Sequence, residues 1–71
     1  MWGWWSAMRS RIGDLRERRG MSQRRLARES GVSDCVLSKW ERIGLERAQL
    51  GLVVRVARAL GVPVEDLYSD E

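Results

Sequence analysis

Apolar residues recur at helical spacing through most of the chain, and glycines divide that pattern into segments. Met8, Ile12 and Leu15 are four and three residues apart, so they share one face of a helix predicted over residues 6–19. Gly20 follows directly, and a glycine just past the last turn is a common helix end. The first segment is therefore predicted to be one long helix with an apolar stripe and an arginine-rich surface.

Two shorter helices are predicted next, each beginning after a serine that can cap it. Ser22 precedes a helix over residues 23–30, and Ser33 precedes one that runs to about Glu41. A serine hydroxyl at this position can accept a hydrogen bond from a free amide of the first turn. Gly31 lies between the two helices, where a left-handed backbone conformation would disfavour a side chain. The segment from Ser22 to Glu41 therefore has the form of two helices joined by a tight turn.

The second of these helices is predicted to have one buried and one exposed face. Leu37 and Trp40 are three residues apart and share the apolar face. Core packing is the role expected of Trp40. Small or polar residues occupy the other face, namely Asp34, Cys35, Ser38, Lys39 and Arg42. A helix of this kind fits the major groove of duplex DNA, while its partner helix braces it. The pattern therefore predicts a helix-turn-helix that reads DNA.

The most apolar segment, over residues 50–60, is predicted to be the central helix of the core. Its broad apolar face is formed by Leu50, Val53, Val54, Ala57 and Leu60. A fifth helix of one or two turns is predicted over residues 63–68, with Pro63 at its first position. The expected fold is a compact, all-α, five-helix domain over residues 8–68. An N-terminal extension (1–7) and an acidic tail (69–71) flank it.

Composition restricts the chemistry that a chain of 71 residues can perform. There is one cysteine, Cys35, and no histidine, so the chain can form neither an internal disulfide nor a Cys/His zinc site. The missing histidine also removes the usual proton shuttle of enzymes, so no catalytic residue, metal or cofactor is expected. A single thiol fits the reducing cytoplasm. Neither a membrane span nor a signal peptide is expected, because apolar runs are too short.

Charge is distributed unevenly along the chain, although the formal net charge is only +3. Residues 1–31 contain eight arginines against three acids, whereas residues 61–71 contain four acids and no base. A basic body with an acidic end is typical of a protein that presents one face to a polyanion. Most charge runs are simply solvated surface, so this pattern supports the helix-turn-helix interpretation without establishing it.

The stretch MSQRRLARESGVSDCVLSKWER resembles the helix-turn-helix of lambda-repressor/Cro-like regulators, also called the xenobiotic-response-element family. The similarity covers about residues 9–68, up to VARALGVPVEDLY. It implies that Gln23 binds a DNA phosphate and that Ser22 and Arg42 make further backbone contacts. It places the base-reading positions at Asp34, Cys35 and Lys39, with Ser33 and Ser38 beside them. It also implies a structural ion pair between Arg16 and Glu41.

The chain departs from the family pattern at two places. Arginines stand in the second helix where relatives often have acids, at Arg24, Arg25 and Arg28. The usual Asn-Pro-Ser-like segment before the fourth helix is replaced by Arg47, Ala48 and Gln49, in a loop one residue longer. These differences leave the role of Arg47 open and predict stronger non-specific DNA binding.

The sequence leaves more than one interpretation open for several residues. Asp34 either accepts a hydrogen bond from a cytosine or only favours the positive end of its helix. Cys35 is either a redox-sensitive thiol or, as we prefer, a small side chain near a thymine methyl or solvent. The tryptophans Trp2, Trp4 and Trp5 dock on a partner subunit, lie at a membrane interface, extend the first helix, or belong to an extension without a structural role.

The function expected from these residues is that of a transcriptional regulator, and more specifically of a repressor. Its partners would be double-stranded DNA with a palindromic operator and a second copy of the chain. No membrane is expected as a partner. A small-molecule effector is not expected either, since the chain lacks room for a sensor domain. The alternative is an antitoxin-like protein-interaction module on the same fold, which uses the tryptophan cluster. A membrane-active Trp/Arg peptide and an enzyme are weaker alternatives.

Overall fold

The computed structural model describes residues 9–69, with no account of the Ser69 side chain. Four α-helices form this part of the chain: α1 (Ile12–Arg18), α2 (Gln23–Ser30), α3 (Asp34–Ile43) and α4 (Leu50–Leu60). A 3₁₀ helix (Val64–Leu67) follows α4. Two short strands, β1 (Arg9–Ser10) and β2 (Tyr68–Ser69), pair antiparallel. The domain is thus small and all-helical apart from this one pair of strands.

The core is made by side chains from every helix. Its members are apolar and almost fully buried, and they are Ile12, Leu15, Met21, Leu26, Val32, Leu37, Trp40, Leu45, Val53, Val56, Ala57, Leu60 and Leu67. Helix α2 packs against both α3 and α4, and β1 packs against α3. These contacts hold α2 and α3 at a fixed angle, because each buries one apolar face against the rest of the core.

The predicted first helix is too long at its N-terminal end. It was expected over residues 6–19, but α1 begins only at Ile12, and Arg9 and Ser10 are extended. The reason is a non-local pairing, since Ser10 faces Tyr68 across the β1–β2 ladder. The amide of Arg11 also donates to the carbonyl of Leu67 at 2.7 Å. Residues 6–8 of the prediction, including Met8 in the apolar stripe, lie outside the described residues.

The predicted fifth α-helix is wrong in type and extent, so the five-helix count is not confirmed. The segment contains a single 3₁₀ turn, Val64–Leu67, and Tyr68 belongs to β2. Pro63 precedes that turn with an extended backbone (φ −67°, ψ 155°), so it is not the first helical residue. The pairing of β2 with β1 takes Tyr68 out of the turn. Leu67 is nevertheless buried as expected, and Tyr68 packs against the core.

Helix α4 has the predicted bounds but a rotated apolar face. Leu50 was expected in the core, yet 69% of it is exposed, and Val54 is only partly buried. Val56, which the prediction left out, is fully buried. Valines at 53, 54 and 56 are equivalent in apolar character, so their spacing alone could not orient the helix.

Candidate nucleic-acid interface

Helix α2 begins and ends as the sequence predicts. The hydroxyl oxygen of Ser22 accepts from the backbone N–H of Arg25 at 3.0 Å, which caps the first turn. Accepting this bond leaves the hydroxyl proton of Ser22 available to donate elsewhere. Gly31 ends the helix in the left-handed conformation, with φ 75°. A side chain at this position would be strained, so glycine allows the tight turn into α3.

Helix α3 separates its buried from its exposed face as predicted. Ser33 caps it by accepting from the N–H of Val36 at 3.2 Å. Leu37 and Trp40 are buried, and Val32, just before the cap, is buried as well. The helix runs to Ile43, two residues beyond the predicted end. All of the polar residues predicted to face outward are exposed, namely Asp34, Cys35, Ser38, Lys39 and Arg42.

Six of the eight predicted DNA-contacting residues line one shallow, open concavity, which we call the reading surface. Its volume is about 350 Å³, and its lining residues are Gln23, Asp34, Cys35, Ser38, Lys39 and Arg42. Gln23 is the first residue of α2, and the other five project from α3. The two remaining residues, Ser22 and Ser33, lie outside this concavity at the caps of the two helices. Two separate helices thus contribute to a single surface.

The charges around the reading surface are mostly cationic and uncompensated. Within residues 9–69, the only basic side chains in ion pairs are those of Arg16 and Arg25. Lys39 and Arg42 are exposed and take part in none of these pairs. A cation free of a protein partner can replace a counterion of the DNA backbone. The surface is therefore suited to a polyanion, and Asp34 is its one carboxylate.

A comparison with known protein families agrees with this geometry. The family model for helix-turn-helix domains of the Cro/C1, XRE-like type matches residues 12–67. The chain belongs to this family. The match confirms the resemblance drawn from the sequence motifs and indicates a DNA-binding regulator as the kind of function. Domains of this family bind DNA and are not enzymes. None of the curated proteins compared with the chain matches it.

In this helix-turn-helix domain, Arg16 and Glu41 form the ion pair that the resemblance implied. The Nε and Nη2 atoms of Arg16 donate to the two carboxylate oxygens of Glu41 at 3.1 and 3.2 Å. Its Nη1 donates to the carbonyl of Met21 at 2.9 Å. Only 16% and 17% of the two side chains are exposed. Arg16 therefore ties α1, the α1–α2 turn and α3 together, which fixes α3 relative to the core.

The loop between α3 and α4 places Arg47 beside the helix-turn-helix. Arg47 lines a second, smaller concavity of about 230 Å³ together with Trp40, Ile43 and Ala48. Lys39 borders both this concavity and the reading surface. The exposed Arg47 thus adds a cation next to the C-terminal half of α3.

A further basic residue lies near the helix-turn-helix, and the sequence pattern does not predict this position. Arg55 projects from α4, and its Nη1 lies 3.7 Å from where a Cβ on Gly31 would be. Its side chain therefore reaches the α2–α3 turn from a different helix. A sequence pattern could place Arg55 on the exposed face of α4, but only the packing of α4 against α2 brings it to the turn.

The described residues contain no metal-ligand cluster, and none of their helices could cross a bilayer. Among residues 9–69, no three His, Cys, Asp or Glu side chains lie close enough to hold an ion. The helices in this range also fall short of the length and apolarity that a transmembrane segment needs.

Proposed function

We propose that the domain is a sequence-specific transcriptional regulator, and specifically a repressor, that reads the major groove with α3. The observation that carries this proposal is the reading surface. Residues of α2 and α3 meet there on one exposed face, while Leu37 and Trp40 are buried behind it. The diameter of an α-helix matches the width of the major groove, so this face can approach base edges without rearrangement of the fold.

The side chains of α3 suggest which base edges they would contact. Lys39 can donate to the O6 and N7 acceptors of guanine, and Ser38 can contact either base of a pair. Asp34 can accept from the amino group of cytosine, and Cys35 is small enough to lie against a thymine methyl. Good contacts of this kind discriminate by ~1–3 kcal/mol each. We therefore assign sequence discrimination to these four residues.

The residues around them would position the domain on the sugar–phosphate backbone. Gln23 at the start of α2 and Arg42 on α3 border the reading surface on two sides. Ser22 and Ser33 each keep a hydroxyl proton, because their oxygens act as acceptors in the helix caps. Contacts to phosphate set register and orientation but carry no sequence information. They also make the affinity depend steeply on salt.

We propose that the regulator acts as a homodimer on a palindromic operator, with half-sites roughly 34 Å apart. Two large apolar side chains support self-association, because Ile43 and Leu50 are 62% and 69% exposed. Occupation of an operator excludes other proteins from the same duplex, which is the simplest route to repression. Such a protein would act in the cytoplasm of a bacterial or phage-infected cell. Residues 8–68 would form the binding domain between the extension (1–7) and the acidic tail (69–71).

The decisive experiment is selection of bound sequences from random duplex DNA at near-physiological salt. The proposal predicts enrichment of a palindrome whose halves are about one helical turn apart. An enriched site without dyad symmetry would contradict the homodimer but keep the reading of bases. If no sequence were enriched, sequence-specific regulation would be wrong, whatever the affinity for DNA in general.

A further inference from the structure

A third concavity lies at the N-terminal end of α3, beside the reading surface. It is an open cleft of about 760 Å³ between the outer face of α2 and the beginning of α3. Four polar residues line it: Arg24 and Arg28 from α2, and Ser33 and Asp34 from the start of α3. We call it the arginine cleft. Asp34 also borders the reading surface, so the two concavities adjoin at this residue.

The two arginines of the cleft are arranged unfavourably for an isolated helix. Arg24 and Arg28 are four residues apart on α2, and like charges at this spacing destabilise a helix. Both are exposed, and neither belongs to an ion pair within residues 9–69. The neighbouring Arg25, by contrast, pairs with Glu29 at 2.8 Å. Within residues 9–69 the charges of Arg24 and Arg28 are therefore left without an ion-pair partner.

Arg55 adds a third guanidinium at the end of the cleft. Its Nη1 lies near Gly31, which is itself part of the cleft wall. Asp34 is the one carboxylate of the lining, so the charge balance of the cleft with Arg55 is positive. The hydroxyl proton of Ser33 is a further donor, because its oxygen already accepts from Val36. Guanidinium groups favour phosphate, which they can bind through two parallel hydrogen bonds.

We propose that the arginine cleft binds a second stretch of sugar–phosphate backbone of the same duplex, outside the base pairs that α3 reads. The proposal rests on the proposed function, because a duplex seated on the reading surface would continue past Asp34 into the cleft. It assigns Arg24 and Arg28 as phosphate-contacting residues, with Arg55 as the third cation. These contacts raise affinity for every sequence alike, because phosphates are the same at every base pair.

The test compares full-length variants that lose the same charge at different places. One is Arg24→Gln with Arg28→Gln, and the control is Arg25→Gln with Arg58→Gln, which removes two exposed arginines outside the cleft. Affinity for a random-sequence duplex of about 30 base pairs, three helical turns, is measured by fluorescence anisotropy. Titrations between about 50 and 200 mM salt give the slope of log K against log salt for each protein.

The cleft variant is expected to have a slope less steep by about two, since each lost phosphate contact contributes roughly 0.9. At about 150 mM salt its affinity should fall roughly tenfold or more. The charge-retaining variant Arg24→Lys with Arg28→Lys should keep the wild-type slope, because counterion release depends on charge.

If the cleft variant had the same affinity and salt slope as the Arg25/Arg58 control, the inference would be wrong. An acidic protein surface would then be the remaining candidate partner of the cleft. In that case wild-type binding and the Lys39-dependent base preference would persist, so the proposed function would stand. If the wild-type protein bound no duplex at all, both the inference and the proposed function would be wrong.

Discussion

Glu41 links the stability of the fold to the placement of α3. Its carboxylate on α3 accepts two hydrogen bonds from Arg16 on α1, and both side chains are largely buried. Removal of one member of such a pair leaves the other charge partly desolvated and without its partner. The exposed pair of Arg25 and Glu29 has the same residue types, but 51% and 41% of the two side chains are exposed. The exposed pair therefore serves as a control for the effect of burial on the Arg16–Glu41 pair.

We expect Glu41→Gln to lower the free energy of unfolding by ~1–3 kcal/mol, because charged hydrogen bonds at low exposure are lost. Glu29→Gln should lower it by less than about 0.5 kcal/mol, as is typical of exposed ion pairs. Urea unfolding of the two variants and the wild type measures both values. Equal losses in the two variants would show that Arg16 does not brace α3.

Lys39 and Arg42 lie three residues apart on α3 but have different roles in the proposed function. Lys39→Ala is expected to relax preference at particular base pairs by ~1–3 kcal/mol. Arg42→Ala should instead weaken binding to all sequences alike and reduce the salt slope by about 0.9. A panel of operators with single base-pair changes separates the two effects. If both variants bound every duplex like the wild type, α3 would not be the reading helix.

At the scale of elements, two helical glycines differ in what surrounds them. Gly51 lies in the first turn of α4, and a Cβ added there would have no neighbour within 4 Å. Gly13 lies in α1, where an added Cβ would come within 3.2 Å of Oε1 of Glu41. Arg16 holds that oxygen in place through its Nη2. Gly13 thus leaves room for the Glu41 side chain in the position where it pairs with Arg16.

Gly51→Ala is expected to raise the free energy of unfolding by about 0.5–1 kcal/mol, since alanine restricts the unfolded chain and favours the helix. Gly13→Ala should gain less than Gly51→Ala or lose stability, because the methyl group displaces Glu41. Thermal melts of both variants measure the difference. A gain at Gly13 equal to that at Gly51 would mean that Glu41 moves aside without loss.

At the scale of the whole molecule, β1 and β2 join the two ends of the described chain. Arg9 faces Ser69 across the ladder, and β1 also packs against α3. The ladder thus pairs the first two residues of the described range with its last two. The acidic C-terminal segment therefore begins beside the basic N-terminal one, and Arg9 leads into the extension that contains the tryptophans.

Deletion of residues 1–7 tests whether that extension has a function of its own. We expect operator affinity to be unchanged, because the reading surface lies on α2 and α3. Anisotropy titration and sedimentation of the deletion variant measure affinity and oligomeric state. Substitution of Trp2, Trp4 and Trp5 by serine in the full chain separates the indoles from chain length. Loss of dimerisation or of a protein partner would favour the antitoxin-like alternative.

The sequence by itself determined the features that depend on neighbours within one or two turns. Both serine caps, the turn at Gly31, the bounds of α2 and α4 and the buried face of α3 are confirmed. Capping and the left-handed turn involve residues at most four apart, so local pattern suffices to predict them. Helical spacing also places the five α3 residues of the reading surface on one side of that helix, whereas Gln23 joins them from α2 through the packing of the two helices. That these residues contact DNA stays a prediction.

The tertiary structure alone decided what depends on residues distant in sequence. The pairing of Ser10 with Tyr68 shortened α1 and removed the fifth helix. In the folded domain Val56 is fully buried while Val54 is only partly buried, and Arg55 reaches Gly31 from α4. The three valines have the same apolar character, so the local sequence does not show which of them is buried. The β1–β2 ladder joins residues about 60 positions apart, so neither strand can be predicted from its sequence neighbours. The arginine cleft, unlike the reading surface, therefore became visible only in the folded domain.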